Sequence, residues 1–217
     1  MKPKHVLVAL ALVLFSSCIV KSINPFYLKE KVKFNPKLVG SWSSSKTSTW
    51  EIVSFKTAYE AENNDKAQLS KEERDAFERY KEAYIIEYTS SNKEASFIAM
   101  PFLVGEHLFL DFTPFEYESE DLNSLAAQHL LKTHSVTYVD FQDDGSIKLK
   151  WLDESVVKEL IKSNKMRIKH EETGIDDDFV LTASSDELYR FLEKFMASDI
   201  ENKWDKDVIK TLKPNNA

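Results

Sequence analysis

The strongest constraint on this chain is a series of alternating segments with almost no sequence between them. Tyr84–Thr89, Glu94–Leu103 and His107–Phe112 are strand-like runs separated only by Ser90-Ser91-Asn92-Lys93 and by Val104-Gly105-Glu106. Parallel neighbours need a crossover of a dozen or more residues, so links this short dictate antiparallel hairpins. Upstream, Trp50-Glu51-Ile52-Val53-Ser54-Phe55 alternates, with Trp50, Ile52 and Ser54 on one face. Downstream, Val136–Phe141 and Ile147–Leu152 flank Asp143-Asp144-Gly145-Ser146 as a further hairpin, with Lys148 and Lys150 facing away from Ile147, Leu149 and Trp151. Met166–Glu171 and Phe179–Thr182 are shorter candidates around the acidic turn from Gly174 to Asp178, and Val208 to Leu212 reads as an extended piece returning to the sheet. Eight or nine strands joined mostly by hairpins predict a mainly β (α+β) fold. Its expected form is an antiparallel meander or closed or nearly closed barrel of about eight strands, with three to four peripheral helices.

The helices announce themselves by their caps. Ser70 and Glu73 form a capping box ahead of Phe77, Tyr80 and Tyr84 at helical spacing. A second helix is expected over Glu120 to Lys132, with Leu122, Leu125, Ala126 and Leu130 on one side. Asp153 caps a third, running to Lys162, whose Val156/Leu160 and Val157/Ile161 pairs make an apolar stripe. The clearest is the last, where Ser184 and Glu187 form a capping box and Leu188, Phe191, Leu192, Phe195 and Met196 recur at i, i+3, i+4, i+7 and i+8. Such a stripe must dock on something apolar.

The N-terminus carries a different kind of signal. Lys2, Lys4 and His5 precede ten consecutive apolar residues, Val6 to Phe15, and then Ser16-Ser17. Ten residues rise only about 15 Å as a helix, half of a hydrocarbon core, so the segment suits an export signal better than a permanent span. Cys18, the single cysteine, stands where cleavage is expected and has no partner for an intramolecular disulfide. Leu14-Phe15-Ser16-Ser17-Cys18 resembles the lipobox of bacterial lipoproteins, whose cysteine receives acyl chains such as palmitate. That resemblance implies a signal peptide over 1–17, a lipidated Cys18 and attachment to a membrane. No aspartate follows Cys18, which by the same resemblance favours the outer membrane, with the periplasmic face expected over the cell surface. Residues 18–39, rich in lysine and holding Pro25 and Pro36, read as a tether; residues 40–217 read as one globular domain.

Gly40-Ser41-Trp42 opens that domain and resembles the G-x-W of lipocalin-like (calycin) barrels, in which the tryptophan plugs the closed end. The lipobox, the Asn24-Pro25-Phe26-Tyr27 stretch and this opening together look like those of uncharacterised lipoproteins from Bacteroidota-type bacteria. The resemblance implies a location and a fold, and no activity.

Several functions are excluded or left without support. Four glycines, Gly40, Gly105, Gly145 and Gly174, cannot be arranged into either phosphate-cradling motif. A net charge of −7, with no basic stripe interleaved with aromatics, argues against nucleic acid as a partner. His129 and His134 do not share a helix face, and His107 and His170 stand alone, so no metal site is read. Asp111 and Asp140 are the carboxylates placed to enter a cavity, each beside the plainer reading of a wet surface. The run Glu171, Glu172, Asp176, Asp177 and Asp178 lacks calcium-loop spacing. No serine elbow occurs, so no catalytic residue and no cofactor is assigned and an enzyme is not expected. Fourteen Phe, eight Tyr and four Trp could line an apolar pocket as well as build a core. The expected role is a membrane-anchored, non-enzymatic binder of a small hydrophobic ligand. The alternative is a structural or assembly lipoprotein docking on another envelope protein.

Overall fold

The computed structural model describes residues 19–62, 70–116, 130–175 and 177–215. Cys18 and the signal segment, most of the helix expected over Glu120 to Lys132, His129 and Asp176 lie outside the described residues.

Eight antiparallel strands close a barrel in chain order: β2 (Gly40–Ser45), β3 (Ser48–Ser54), β4 (Tyr84–Ser90), β5 (Lys93–Val104), β6 (His107–Glu116), β7 (His134–Phe141), β8 (Ile147–Trp151) and β11 (Lys210–Pro214). The last strand pairs with both β8 and β2 and so shuts the wall. The hairpin spacing predicts such an antiparallel barrel, and its architecture is consistent with the lipocalin-like fold implied by Gly40-Ser41-Trp42. Local chemistry sets the turns. Ser91 and Asn92 both adopt positive φ, 50° and 63°, between β4 and β5. Two such residues make the tight turn whose twist matches the flanking strands.

Alternation sorts side chains between the two faces of the wall. Inward, Trp42 pairs with Trp50 and Trp50 with Tyr88, while Leu110, Thr137 and Trp151 share one register. Trp42, Trp50, Leu110 and Trp151 belong to one core cluster with Ile52, Tyr84, Ile86, Phe112, Leu149 and Leu212, against which Tyr88 packs. Outward, Phe102, Phe109 and Val136 belong to a second cluster that covers the outer face of the wall.

Gly40 takes φ +145°, a conformation that disfavours any side chain. A Cβ there would meet only Trp42 Nε1 at 3.7 Å, so the backbone rather than crowding calls for glycine. The Trp42 indole N–H donates to the Leu38 carbonyl at 3.0 Å, holding the ring in place.

Four helices are described: α1 (Phe55–Glu62), α2 (Lys71–Tyr80), α3 (Glu154–Lys162) and α4 (Ser185–Ala197). Between β3 and β4, α1 and α2 pack through Tyr59 on Phe77 and Phe55 on Tyr80. Helix α1 was not expected, because its sequence reads as a polar stretch. Tyr84, which fits the helical spacing of Phe77 and Tyr80, is instead the first residue of β4 and is fully buried. Both capping boxes, Ser70 with Glu73 and Ser184 with Glu187, are formed. No described helix is long and apolar enough to cross a membrane.

The expected tether and the boundary at residue 40 need correction, because residues 19–39 are part of the body. Where β8 ends, β1 (Lys21–Ser22) takes its place beside β7 and continues the sheet through the parallel β10 (Asp178–Leu181) to the antiparallel β9 (His170–Thr173). Val20, Phe26 and Leu38 are buried, and Ile19 bridges to Asp153. Most apolar residues of this lysine-rich segment are buried or half-buried against the body, Ile23 and Val39 excepted, while Lys29, Lys31, Lys33 and Lys37 stay in water. The strand expected over Met166–Glu171 forms a ladder only from His170 onward, since Met166 and Ile168 pack against the outer cluster instead.

Candidate functional site

A groove of about 810 Å³ opens on the flank of the barrel, between α3, the segment that follows it, and α4. Its geometry begins with the end of α3. Asn164 adopts φ +57°, and the backbone N–H groups of Lys165 and Met166 both donate to the Leu160 carbonyl, at 2.9 and 3.0 Å. This αL reversal caps the helix and turns the chain back. Residues 165–169 then run along the groove until the Lys169 carbonyl accepts from Thr182 N–H at 2.9 Å. Opposite, the capping box of α4 fixes where Arg190, Phe191, Lys194 and Phe195 stand.

The floor is apolar: Leu160, Ile161, Met166, Ile168, Phe191 and Phe195 line it. The rim carries Lys165, Arg167, Lys169, Arg190 and Lys194, against the single acid Glu187. Lys169 lies 3.5 Å from Glu187 and Arg190 4.0 Å from Asp186. Lys165, Arg167 and Lys194 have no ion pair within 4.0 Å among the described residues. A smaller recess of about 340 Å³, bounded by Lys158, Lys162, Glu171 and Phe179, adjoins it through Ile161 and His170.

The barrel interior contrasts with this. Trp42, Trp50 and Trp151 are 8%, 4% and 8% exposed and meet there with Tyr84 and Phe112. The Thr137 hydroxyl is buried among them with no hydrogen-bond partner.

Of the carboxylates expected to face a cavity, neither does so. Asp111 lies on the outer face of β6, where its side chain is 1% exposed and meets His134 Nδ1 at 2.6 Å. Its other oxygen accepts the Phe26 N–H at 2.7 Å, which fastens the N-terminal segment to the wall. Burial pushes the Asp111 carboxyl above its ordinary value, opposed by His134 and by the Phe26 N–H. Nearby, burial and the Asp111 charge push the Tyr27 hydroxyl up to about 12. Thr113 Oγ1 shares His134 Nδ1 at 3.0 Å, so this cluster is a clasp rather than a relay aimed at open space. Asp140 is held by Lys150 at 2.6 Å.

His107 stands edge-on to Tyr138, and His170, whose Nδ1 lies 2.9 Å from the Ile168 carbonyl, lines the groove. In the acidic turn, Asp178 pairs with Lys21 at 2.8 Å. Among the described residues no three His, Cys, Asp or Glu side chains converge as a metal site.

Sequence reasoning treated residues 166–171 as a strand and missed the groove. The alternation Lys165-Met166-Arg167-Ile168-Lys169 is the signal that could have found it: cation and apolar side chains on opposite sides of one extended piece. Compared with known proteins, the chain matches no family model, no curated protein and no solved structure.

Proposed function

We propose that this protein is a lipid-anchored envelope protein, attached through Cys18, that holds a small hydrophobic ligand in the groove between α3 and α4 without transforming it. One observation carries the reading: the open apolar space lies on the flank, at about 810 Å³, while the barrel interior is filled by its own aromatic side chains. Sites for small ligands typically measure about 300–1,000 Å³ and are mostly apolar with a few polar groups. The lipobox resemblance at Leu14 to Cys18 supplies the anchor, the absence of an aspartate after it supports the outer membrane, and the absence of an acidic run after the cysteine supports the periplasmic face. The acidic charge of −7 continues to argue against nucleic acid as a partner.

Native mass spectrometry of the protein isolated from its own cells tests the binding claim. A co-purifying apolar molecule is expected, and Met166→Glu with Ile168→Glu, which puts charge on the floor, is expected to lose it. Protein that is consistently empty, or a stoichiometric protein partner seated in place of the small molecule, would overturn this reading in favour of docking. Labelled palmitate should enter the wild type and not Cys18→Ser.

A further inference from the structure

We propose that the groove between α3 and α4 selects a single-chain amphiphile with an anionic headgroup, whose chain lies on the apolar floor and whose charge is met by Lys165, Arg167 and Lys194. The inference rests on the reading of the groove as a hydrophobic-ligand site and adds the chemistry of the headgroup.

Charge placement carries the argument. The whole chain has a net charge of −7, yet the groove is bordered by five cations and one acid. Most of the chain's cations meet water or an acid, and an isolated surface lysine needs no explanation. Three unpaired cations spaced around one apolar surface are different. Lys165 and Arg167 project from the same extended piece whose intervening residue, Met166, lies on the floor, and Lys194 faces them from α4 one turn after Arg190. The sole acid of the rim, Glu187, is already committed: it accepts from Ser184 in the capping box and lies beside Lys169.

Helix ends do not cancel this field. Both α3 and α4 end near the groove, and unpaired carbonyls there would repel an anion. At the end of α3, the Glu159 and Leu160 carbonyls accept from Ser163, Lys165 and Met166. At the end of α4, Lys203 Nζ donates to the Met196 and Ser198 carbonyls. The negative poles are therefore largely taken up by the protein itself, leaving the cationic side chains to face the groove.

The shape selects against a bare anion. A cluster of exposed lysines alone would bind any phosphate weakly, whereas the half-buried Leu160, Ile161, Met166 and Ile168 offer surface that only an apolar chain can cover. A neutral or cationic amphiphile would cover the floor and leave the rim uncompensated or repelled.

Calorimetric titration of the full chain carrying Cys18→Ser, with dodecanoate and dodecyltrimethylammonium each kept below its micelle concentration, tests the proposal. Dodecanoate should bind at least tenfold tighter than the cation, and Lys165→Gln/Arg167→Gln/Lys194→Gln should remove that preference. Ile168→Glu should weaken dodecanoate binding by tenfold or more with the rim intact. Equal binding of the two amphiphiles would overturn the headgroup assignment and leave the hydrophobic site standing. Acetate matching dodecanoate would place the affinity on the rim alone and overturn both. Binding to vesicles containing phosphatidylglycerol but not to monomeric dodecanoate would make the groove a membrane contact and would also overturn both.

Discussion

The barrel interior and the flanking groove are both apolar, and they differ in what covers them. Inside, side chains from the strands fill the space: Trp42 and Trp50 from the paired β2 and β3, and Trp151 from β8, point inward and are left little exposed. On the flank, α3, α4 and residues 165–169 border an open groove in which Met166 and Ile168 stay half-buried, although Phe191 and Phe195 beneath them are buried. A closed sheet brings its inward residues together automatically, because every strand has neighbours on both edges. Helices laid on its outer face have no such obligation. In this protein, open apolar surface is therefore a property of the appended elements rather than of the barrel.

That contrast can be broken by mutation. Trp50→Ala should lower stability by about 3–5 kcal/mol, the range for truncating a large core aromatic. Ile168→Ala, at the half-buried floor, should cost about 1 kcal/mol or less. Urea denaturation of the two variants reads the difference, and equal losses would mean that the groove is packed as tightly as the interior.

The outer wall is next in expected size. Asp111→Asn should cost about 2 kcal/mol, because the amide has one acceptor oxygen where the carboxyl uses two, on the Phe26 N–H and on His134, and a buried partner loses its bond. It should also change the pH dependence of stability. A carboxyl whose folded-state pKa is raised binds its proton more tightly when folded. Its contribution is present below the ordinary aspartate value of 3.8 and is lost as pH rises through the folded-state value. Thermal melts from pH 3 upward should therefore show a falling component in the wild type that Asp111→Asn removes. A slope unchanged in the variant would assign it to other groups.

Tyr84 ties the barrel to the N-terminal segment, its hydroxyl donating to the Asn35 carbonyl at 2.7 Å and accepting the Asn35 N–H at 2.8 Å. Tyr84→Phe should cost about 1–2 kcal/mol. Burial pushes this hydroxyl up to about 12, so its pH-linked contribution is present below about pH 10 and is lost as pH rises through that value. Absorbance titration of the phenolate should lose one late-titrating tyrosine in the variant. The smallest effect belongs to Thr137→Val, which removes the unpartnered interior hydroxyl at nearly constant shape. Stability should stay level or rise by up to about 1 kcal/mol, whereas a clear loss would show that the hydroxyl is bonded.

How much could be read in advance depended on the range of the interaction. The hairpins from Tyr84 to Phe112 and from Val136 to Leu152 were legible because turn and alternation lie within a few residues of each other. The same holds for the Asp153 cap and the two capping boxes, where one side chain bonds backbone three residues away. Residues 19–39 were misread because their lysines resemble a linker, and only the wall they meet reveals that Val20 and Phe26 are buried in the outer cluster and Leu38 in the interior one. The groove was illegible for a related reason: Lys165 and Lys194 are 29 positions apart in sequence and face each other only after β9 and β10 bring the chain back.

By itself, the sequence determined the strand periodicity, the capped helix starts and the hairpin order, for which short-range sterics and backbone hydrogen bonding suffice; that the wall closes depends on β11 returning to pair with β2. Tertiary structure alone decided that the interior would be occupied by tryptophans, that the lysine-rich segment would become part of the body, and that cations from two distant segments would border one apolar groove. Those outcomes depend on which surfaces meet, and apolar attraction has no direction that a local pattern could record.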